Sequence, residues 1–548
     1  MLTVWLCALT VGHLVLGQSP QVTVSQGTMR GQVLKSRDGR DYFSFTRIPY
    51  GKPPVGERRF KISEKADNWT GILDATQHSP YCYQGSVFGT GALGEEDCLY
   101  LNVFTPNISG KYPIIFYIHG GAFQAGSADL FGLGKYFMDE DVVAVYTNYR
   151  LGTLGFLSLE DNDIPGNWGL KDQALALEWV HREISAFGGD PNLITVIGES
   201  AGGASSDFTC SAPRTNGLIK ACVSQSGTGW APWAIVKPGE ARRMALNLVR
   251  AVNCSETGDV LKCLQNKPVE LVSNSALMTE NRTLFMVAPV LEPKNAPGAI
   301  LTSWPTTANR NYPWIIGVCQ DEGLVYTGAY ENNLVSKEET EKFIKNFNQT
   351  IIYELYLQNK TKEFEKIYKR FFTKGYEPLV AIRNFVTEYM FLGASLKSLN
   401  THPGPTYFFK FNYTGGPQIP FGYTNISGVG HGADLPYFFE APFAPGPVWP
   451  KPEDVAMSKL LIKMWVNFAR NQIPSSSGMV QWPQFQGQNF LDIKNSGVSI
   501  GNYTQYKEIV DFWNSIFPDK PSHSSVVQSS MLFIAILTIL AIFKGLFV

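Results

Sequence analysis

Five short apolar runs, rich in Val, Ile, Phe and Tyr, recur along the chain between more polar segments. They lie at residues 113–118, 142–146, 193–197, 314–318 and 406–411. Runs that are apolar at almost every position, rather than at every second one, are typical of strands buried on both faces. Amphipathic helical patterns, notably at 170–187 and 241–252, separate several of the runs. This order predicts an α/β fold with a large, mostly parallel central sheet and helices on both faces.

Composition and charge indicate one large domain and argue against a nucleic-acid-binding protein. No low-complexity linker, charge block or internal repeat divides the chain, so we expect one large domain over residues 18–521. The formal net charge is -1, and the Lys and Arg residues are spread along the sequence. A nucleic-acid-binding protein would concentrate its basic residues, so nucleic acid is not an expected partner. The oligomeric state is left open.

Both ends of the chain carry targeting patterns. Residues 1–17 hold an apolar run with no basic residue at its start, and they predict a signal peptide. Residues 522–548 hold a polar stretch followed by a nearly unbroken apolar tail at 531–548. Small residues upstream of that tail favour a glycosylphosphatidylinositol anchor signal over a retained single membrane span. A buried helix remains the alternative interpretation at each end.

Glycosylation sequons support export through the secretory pathway, to the cell surface or outside the cell. N-x-Ser/Thr motifs, the acceptor pattern for N-linked sugars, are dense along the chain. The candidate sites are Asn68, Asn107, Asn253, Asn281, Asn348, Asn359, Asn412, Asn425 and Asn502.

The cysteines are also consistent with export through the oxidising secretory pathway. Seven of the eight follow the predicted signal peptide, so they cannot all pair with one another. Short polar loops separate Cys82 from Cys98 and Cys254 from Cys263, and we expect these two pairs to form disulfides in an oxidising compartment. The remaining three, Cys210, Cys222 and Cys319, lie in or beside apolar segments and are expected to be small buried hydrophobes. None has metal-ligand spacing, and no metal or cofactor is expected.

Residues 195–203, TVIGESAGG, predict a strand that runs through G-x-S-x-G into a helix. In such an elbow the glycines are a steric requirement, because the strand-to-helix turn leaves no room for larger side chains. The turn exposes the Ser200 hydroxyl at the end of the sheet and points the N–H of Ala201 at the same space. Ser200 is therefore the candidate nucleophile, although the bare pattern is weak without partners.

A glycine pair, Gly120-Gly121, follows the predicted strand at 113–118. Backbone N–H groups at the end of a buried strand can face a substrate, and donors aimed at a developing oxyanion are a large contribution to ester hydrolysis. The N–H groups of Gly120, Gly121 and Ala201 are the three candidate oxyanion donors. Alone, the pair would be equally consistent with a plain turn.

A serine nucleophile needs an imidazole base and a carboxylate that orients it. Of the seven histidines, His431 lies in a glycine-rich loop after a predicted strand, and it is the candidate base. Asp321 and Glu322 follow the strand at 314–318, between serine and histidine in the chain. The order serine, acid, histidine is that of an α/β-hydrolase. Local chemistry leaves the choice between the two acids open.

With these loops placed, the chain resembles the type-B carboxylesterase and cholinesterase-like family over almost all of its mature length. Four further segments match family signatures in family order: EDCLYLNV at 96–103, NYRLG at 148–152, GNWGLKDQ at 166–173 and FGGDP at 187–191. The resemblance implies a single large α/β-hydrolase domain and a triad of Ser200, Glu322 and His431. It also implies the oxyanion donors named above and the family's first two disulfides at the two predicted pairs.

The resemblance also bears on the substrate. The chain is more similar to secreted invertebrate-type carboxylesterases than to acetylcholinesterases, because the segment between Cys82 and Cys98 lacks the tryptophan that binds a quaternary ammonium. We expect apolar or uncharged small-molecule esters. The acyl-pocket candidates by similarity are Trp230, Trp233, Phe285 and Val287, and the aromatic residues among them are equally consistent with ordinary core positions. A catalytically weak cell-surface adhesion or recognition protein on the same fold is the alternative.

Overall fold

The structure is a computed structural model that describes residues 19–84, 92–278, 287–304, 311–331, 335–354, 360–416, 428–440 and 451–516. The predicted signal peptide at 1–17 and the predicted anchor signal at 522–548 lie outside these residues. Among the helices that the structure describes, none combines the length and the apolar character that a membrane span requires.

Fourteen strands lie in the described part of the chain. They are β1 (Gln21–Val24), β2 (Gly27–Arg30), β3 (Gln32–Lys35), β4 (Asp41–Pro49), β5 (Ile72–Asp74), β6 (Tyr100–Thr105), β7 (Tyr112–Ile118), β8 (Val143–Thr147), β9 (Gly189–Glu199), β10 (Ala221–Gln225), β11 (Trp314–Cys319), β12 (Thr406–Asn412), β13 (Asn489–Lys494) and β14 (Gly497–Asn502).

The α-helices of the same residues surround the strands. They are α1 (Gly152–Phe156), α2 (Trp168–Glu183), α3 (Ala201–Ser211), α4 (Glu240–Ala251), α5 (Val260–Gln265), α6 (Val269–Val272), α7 (Leu324–Glu331), α8 (Lys337–Glu354), α9 (Thr361–Phe371), α10 (Pro378–Val386), α11 (Gly393–Thr401), α12 (Pro452–Asn471) and α13 (Lys507–Ile516). A π-helical turn, Thr387–Leu392, joins α10 to α11.

The main sheet has eleven strands in the order β14-β13-β12-β11-β10-β9-β7-β8-β6-β4-β3. The central strands from β13 to β8 pair in parallel, and the strands at both edges are antiparallel. A separate three-stranded sheet has the order β1-β2-β5. The predicted α/β fold with a mostly parallel sheet is confirmed. All five apolar runs lie on strands of its parallel centre, and the helical pattern at 241–252 corresponds to α4.

Alternate residues of β7 explain why the strand is apolar throughout. Ile114, Phe116 and Ile118 face a core that also holds α2 and α3. Ile115 and Tyr117 face a second core on the opposite side of the sheet, which holds much of α12. Because both faces are covered by helices, every position of the strand removes apolar surface from water. The sheet is thereby a rigid platform whose carboxyl edge is free to carry loops.

The seven cysteines in the described part of the chain form two disulfides and leave three free thiols. The structure contains the disulfides Cys82–Cys98 and Cys254–Cys263, the two predicted pairs. Cys222 and Cys319 are buried, and Cys210 is half-buried rather than fully enclosed.

Of the sequon asparagines, those that the structure shows as exposed are Asn68, Asn107, Asn253 and Asn502. Asn412 is half-buried, and Asn348 lies in α8. Asn281, Asn359 and Asn425 lie outside the described residues. Which of these asparagines carry sugar stays a prediction.

A buried ion pair ties the sheet to α2. Arg150, just after β8, donates two hydrogen bonds of 2.7 Å to the two carboxylate oxygens of Asp172. Both side chains are almost completely enclosed. A charge left unpaired in such surroundings is costly, whereas a solvent-accessible pair such as Arg40 with Asp141 contributes little.

We predict that Arg150→Met lowers the free energy of unfolding by about 3–5 kcal/mol, because Asp172 stays buried without its partner. The matched variant Arg40→Met breaks an accessible pair and should cost about 0–1 kcal/mol. Chemical denaturation of both variants beside the parent protein measures the difference. Equal losses would contradict the assignment of Arg150 and Asp172 as a structural pair.

Candidate active site

Ser200 lies at the sharp turn between β9 and α3, with φ 58° and ψ -124°. Left-handed φ is unfavourable for a residue with a side chain, so the surroundings must hold it. The Ser200 N–H donates to the carbonyl of Gln225 at 2.8 Å. A Cβ at Gly198 would lie 2.2 Å from the carbonyl oxygen of Gly202, and one at Gly202 would lie 2.1 Å from that of Ile118. Both glycines are therefore required by close backbone approach.

His431 lies between the serine and an acid. Its Nε2 is 2.7 Å from Ser200 Oγ, and its Nδ1 is 2.6 Å from Glu322 Oε2. The three residues are 7%, 2% and 0% exposed in the order Ser200, His431 and Glu322. They arrive from separate loops beyond the carboxyl ends of β9, β11 and β12. This geometry allows the imidazole to accept the serine proton while its other nitrogen donates to the carboxylate.

The two candidate acids have different surroundings. Glu322 Oε1 accepts hydrogen bonds from Ser226 Oγ at 2.6 Å and from the Cys319 N–H at 2.7 Å, while Oε2 faces His431. Asp321 instead accepts from the N–H of Val429, so it joins the two loops rather than meeting the imidazole. Glu322 is the acid that the structure brings to the histidine.

The end of β10 links the three loops. The Gln225 carbonyl holds the Ser200 N–H, and its side-chain amide donates to Asp434 at 2.5 Å in the loop that carries His431. Ser226, which has φ 53°, bonds Glu322. These two adjacent residues therefore connect the nucleophile, acid and histidine loops, a function that sequence reasoning missed because no local pattern around them signals it.

The candidate oxyanion donors lie beside the nucleophile. A Cβ at Gly120 would lie 2.6 Å from the Glu199 carbonyl oxygen and 3.0 Å from Ser200 Cβ. Gly121 has φ 112°, and a Cβ there would lie 2.1 Å from the carbonyl oxygen of Ala125. Within the described residues, the N–H groups of Gly120, Gly121 and Ala201 donate to no other protein group. They are therefore available as hydrogen-bond donors beside Ser200.

His119, next to these glycines, is a structural residue. Its Nδ1 donates to the Gly120 carbonyl at 2.8 Å, and its ring stacks on Tyr149. Burial lowers the pKa of His119 to about 4, so the ring stays neutral. Tyr149 donates its hydroxyl hydrogen to the His119 carbonyl, which fixes the start of the glycine loop.

A second carboxyl group approaches the imidazole. Glu199 Oε1 is 3.3 Å from His431 Nε2, and burial raises the pKa of Glu199 to about 8. Burial alone would lower the pKa of His431, but the carboxylates of Glu199 and Glu322 outweigh it and raise that pKa to about 9. Glu199 was not among the predicted site residues, although it occupies the variable position just before the serine in the motif.

Aromatic rings cover the histidine. The ring of Phe391, in the π-helical turn, has its centroid 4.7 Å from that of His431 and 5.9 Å from that of Trp233. The ring centroid of Phe123 lies 6.4 Å from that of Trp233. Sequence reasoning missed Phe391 and Phe123, because ring positions beside the site follow from contacts between distant segments. A single π-helical turn has no distinct local pattern, yet such turns are frequent at functional sites.

The other acyl-pocket candidates are distributed differently. Trp233 is buried and its indole N–H donates to the Met390 carbonyl at 2.9 Å. Val287 is buried in the same core. Trp230 is half-buried, and its ring centroid lies 5.5 Å from Lys397 Nζ. Phe285 lies outside the described residues.

No group of three or more His, Cys, Asp or Glu side chains with the arrangement of a metal site occurs among the described residues. The chemistry of the site is instead that of a nucleophile elbow, an acid and a histidine at the carboxyl edge of a parallel sheet, which defines an α/β-hydrolase.

Comparison with known proteins gives the family. The sequence model of the carboxylesterase family matches residues 18–513. The chain belongs to the carboxylesterase family, whose enzymes hydrolyse carboxylic esters.

Individual relatives agree with that assignment. A carboxylic ester hydrolase of Bombus ignitus is 33% identical, with 91% of this chain and 94% of the relative aligned. A juvenile hormone esterase of Tribolium castaneum is 31% identical over 91% of this chain and 90% of the relative. Esterase FE4 of Myzus persicae is 30% identical over 85% and 86% of the two chains. The similarity to invertebrate-type carboxylesterases is thus confirmed.

We predict that kcat/KM for a neutral ester rises with pH as His431, whose pKa is about 9, loses its proton. Only neutral imidazole can accept the serine proton. Removing the Glu199 carboxylate takes away a group that stabilises the imidazolium, so Glu199→Gln should move the rising limb of the pH profile to lower pH. The control is Asp38→Asn, an exposed carboxylate beside Lys459, which should leave the limb in place. An unmoved limb in Glu199→Gln would contradict the role of Glu199.

Proposed function

We propose that the protein is a serine carboxylesterase that hydrolyses apolar or uncharged esters through an acyl-enzyme. The observation that carries this proposal is the continuous hydrogen-bonded series from Ser200 through His431 to Glu322, with distances of 2.7 and 2.6 Å. The distance of 2.7 Å between His431 Nε2 and Ser200 Oγ is within the range in which a base can take a proton directly, and the contact of 2.6 Å with Glu322 orients the imidazole.

In the first half-reaction, Ser200 Oγ attacks the ester carbonyl carbon as His431 Nε2 takes the serine proton. The carbonyl oxygen becomes an oxyanion and accepts hydrogen bonds from the N–H groups of Gly120, Gly121 and Ala201. The C–O bond to the alcohol then breaks, and His431 returns the proton to the departing alkoxide. The acyl group remains on Ser200.

In the second half-reaction, a water molecule attacks the acyl carbon and gives a proton to His431. Collapse of the second tetrahedral intermediate releases the carboxylic acid and restores the serine hydroxyl. Glu322 accepts a hydrogen bond from Nδ1 throughout, which keeps Nε2 directed at the reacting atoms and stabilises the transient imidazolium. One water is consumed for each ester.

The side chains around the triad support the proposed class of substrate. Phe391 packs against His431, Trp233 lies beside the elbow and Phe123 packs against Trp233, and this aromatic surface favours an apolar acyl or alcohol group. The segment between Cys82 and Cys98 holds no tryptophan to bind a quaternary ammonium. A complete triad also favours an enzyme over a purely adhesive protein of the same fold. Because two of the relatives are named juvenile hormone esterase, that hormone belongs in the panel of esters to be tested.

We predict that Ser200→Ala lowers turnover of a p-nitrophenyl ester by at least about 10³-fold. The oxyanion donors can still bind the ester, but no hydroxyl remains to form an acyl-enzyme. Ser211→Ala, at the far end of the same helix, is the matched control and should keep the parent rate. At high substrate concentration, the parent protein should release one equivalent of p-nitrophenolate in a burst if deacylation is slower than acylation. Equal rates for parent and Ser200→Ala would exclude the proposed function.

We further propose that the mature protein is exported and tethered to the outer face of the cell by a lipid anchor. The apolar pattern at 1–17, the two disulfides and the polar-to-apolar change within 522–548 support this.

The tether prediction is that a phosphatidylinositol-specific phospholipase releases the protein from intact cells into the medium. A chain ending at residue 521 should be secreted without the enzyme, because the anchor signal is absent. Protein that stays on the cells after phospholipase treatment, but is secreted when shortened, would favour a spanning tail instead.

A further inference from the structure

Asn167 hydrogen-bonds the backbone of a distant segment through both the oxygen and the nitrogen of its side-chain amide. Its Oδ1 accepts from the Val290 N–H at 2.9 Å, and its Nδ2 donates to the Val290 carbonyl at 2.8 Å. The same Nδ2 lies 3.0 Å from Glu292 Oε2. Asn167 is fully buried and precedes α2 with φ 56°. Hydrogen bonds to both the N–H and the carbonyl of Val290 fix the position and orientation of its backbone relative to Asn167.

A buried ion pair, one helical turn further along α2, binds the same segment. Lys171 Nζ, on α2, is 2.7 Å from Glu292 Oε1, and both side chains are completely enclosed. The other oxygen of Glu292 also accepts from the N–H groups of Ile300 and Leu301. Because a buried charge without its partner is costly, these contacts hold the segment to the rigid start of α2.

The held segment leads to the reaction site in two steps. Val236 pairs with Val290 in a parallel bridge, and the Val236 N–H donates to the Pro289 carbonyl at 2.8 Å. Three residues before Val236, Trp233 reaches the elbow: a Cβ at Gly227 would lie 2.1 Å from the Ser200 carbonyl oxygen and 3.0 Å from the Trp233 ring.

We name the two segments, 228–236 and 287–292, the acyl wall. It contains Trp233, whose ring lies beside the elbow and contacts Phe391, which covers His431, and Val287, which is buried in the same core. The wall therefore links Asn167 at the start of α2, through Val290 and Val236, to the ring of Trp233 beside the elbow.

We propose that Asn167 is a positioning residue for acyl-group selectivity: it touches no substrate and sets, through Val290, how closely the acyl wall approaches the acyl-enzyme. This inference rests on the proposed esterase function. Loss of the amide should let the wall move outward, so that long acyl chains gain relative to acetyl. A hydrophobic pocket discriminates by about 10- to 200-fold per methylene, so a small displacement of the wall is measurable.

The test is Asn167→Gly, which removes the three amide hydrogen bonds while the left-handed φ stays favourable for glycine. Gln472→Gly is the matched control, because Gln472 has φ 60° at the end of α12, away from the wall. The readout is kcat/KM for p-nitrophenyl acetate, butyrate, hexanoate and decanoate, with thermal unfolding followed in parallel. Asn167→Gly should raise the ratio of decanoate to acetate by about tenfold or more, and Gln472→Gly should leave it unchanged.

A purely structural Asn167 would lower the unfolding temperature and leave the ratio of the esters unchanged, and that result would overturn the inference. If Asn167→Gly does not fold, Asn167→Asp provides the second test. It keeps an acceptor for the Val290 N–H and loses both donated hydrogen bonds, so the ratio should move in the same direction. Ser200→Ala in the same panel separates the two proposals. Turnover that survives it refutes the esterase mechanism, whereas Ser200-dependent turnover with an unchanged ratio refutes only the inference.

Discussion

The close approach of three backbone segments at the elbow constrains the whole site. The end of β9, the start of α3 and the end of β7 meet where Gly198 and Gly202 leave no room for a Cβ. Ser200 occupies left-handed φ between them, a conformation that costs about 1–3 kcal/mol and persists only when its surroundings hold it. Here the buried sheet and the hydrogen bond to Gln225 do so. The hydroxyl is consequently presented at one place, and the remaining loops are arranged around it.

Electrostatics around the histidine depend on the same arrangement. His431 is enclosed with the carboxyl groups of Glu322, Glu199 and Asp434, and burial raises the pKa of Asp434 to about 6. Glu322 accepts hydrogen bonds from Ser226 and the Cys319 N–H through one oxygen, while its other oxygen faces His431 Nδ1. Glu199 instead lies at Nε2, and Asp434 is bonded by the side chain of Gln225. The position of Glu322 is therefore fixed by contacts that its two neighbours do not share.

Much of the fold could be predicted, because its signals are local. The apolar runs at 113–118 and 314–318 predict strands covered on both faces, and each is a strand of the parallel centre. The antiparallel strands at the amino-terminal edge, such as β3, were not predicted, since they are short and carry mixed side chains. The elbow was recognised at Ser200 for a steric reason that is visible in the sequence, namely glycine on both sides of the serine.

Other features had no local signal. Phe391 reaches His431 through a π-helical turn, Asp434 meets Gln225 across 209 residues, and Asn167 meets Val290 across 123. Such pairs join side chains whose neighbours in sequence say nothing of their partners. Asp321 and Glu322 illustrate the limit most simply, because adjacent carboxylates in one loop are chemically almost equivalent until the chain folds.

The sequence by itself determined the class of fold, the elbow with its candidate nucleophile, the glycine loop and the order of serine, acid and histidine, because strand periodicity and glycine sterics act within a few residues. The tertiary structure alone decided that Glu322 faces the imidazole while Asp321 bonds Val429, that Glu199 adds a second carboxyl beside His431, and which rings cover the site. These outcomes depend on distances between loops from different strands, and those distances exist only once the sheet has brought its carboxyl ends together.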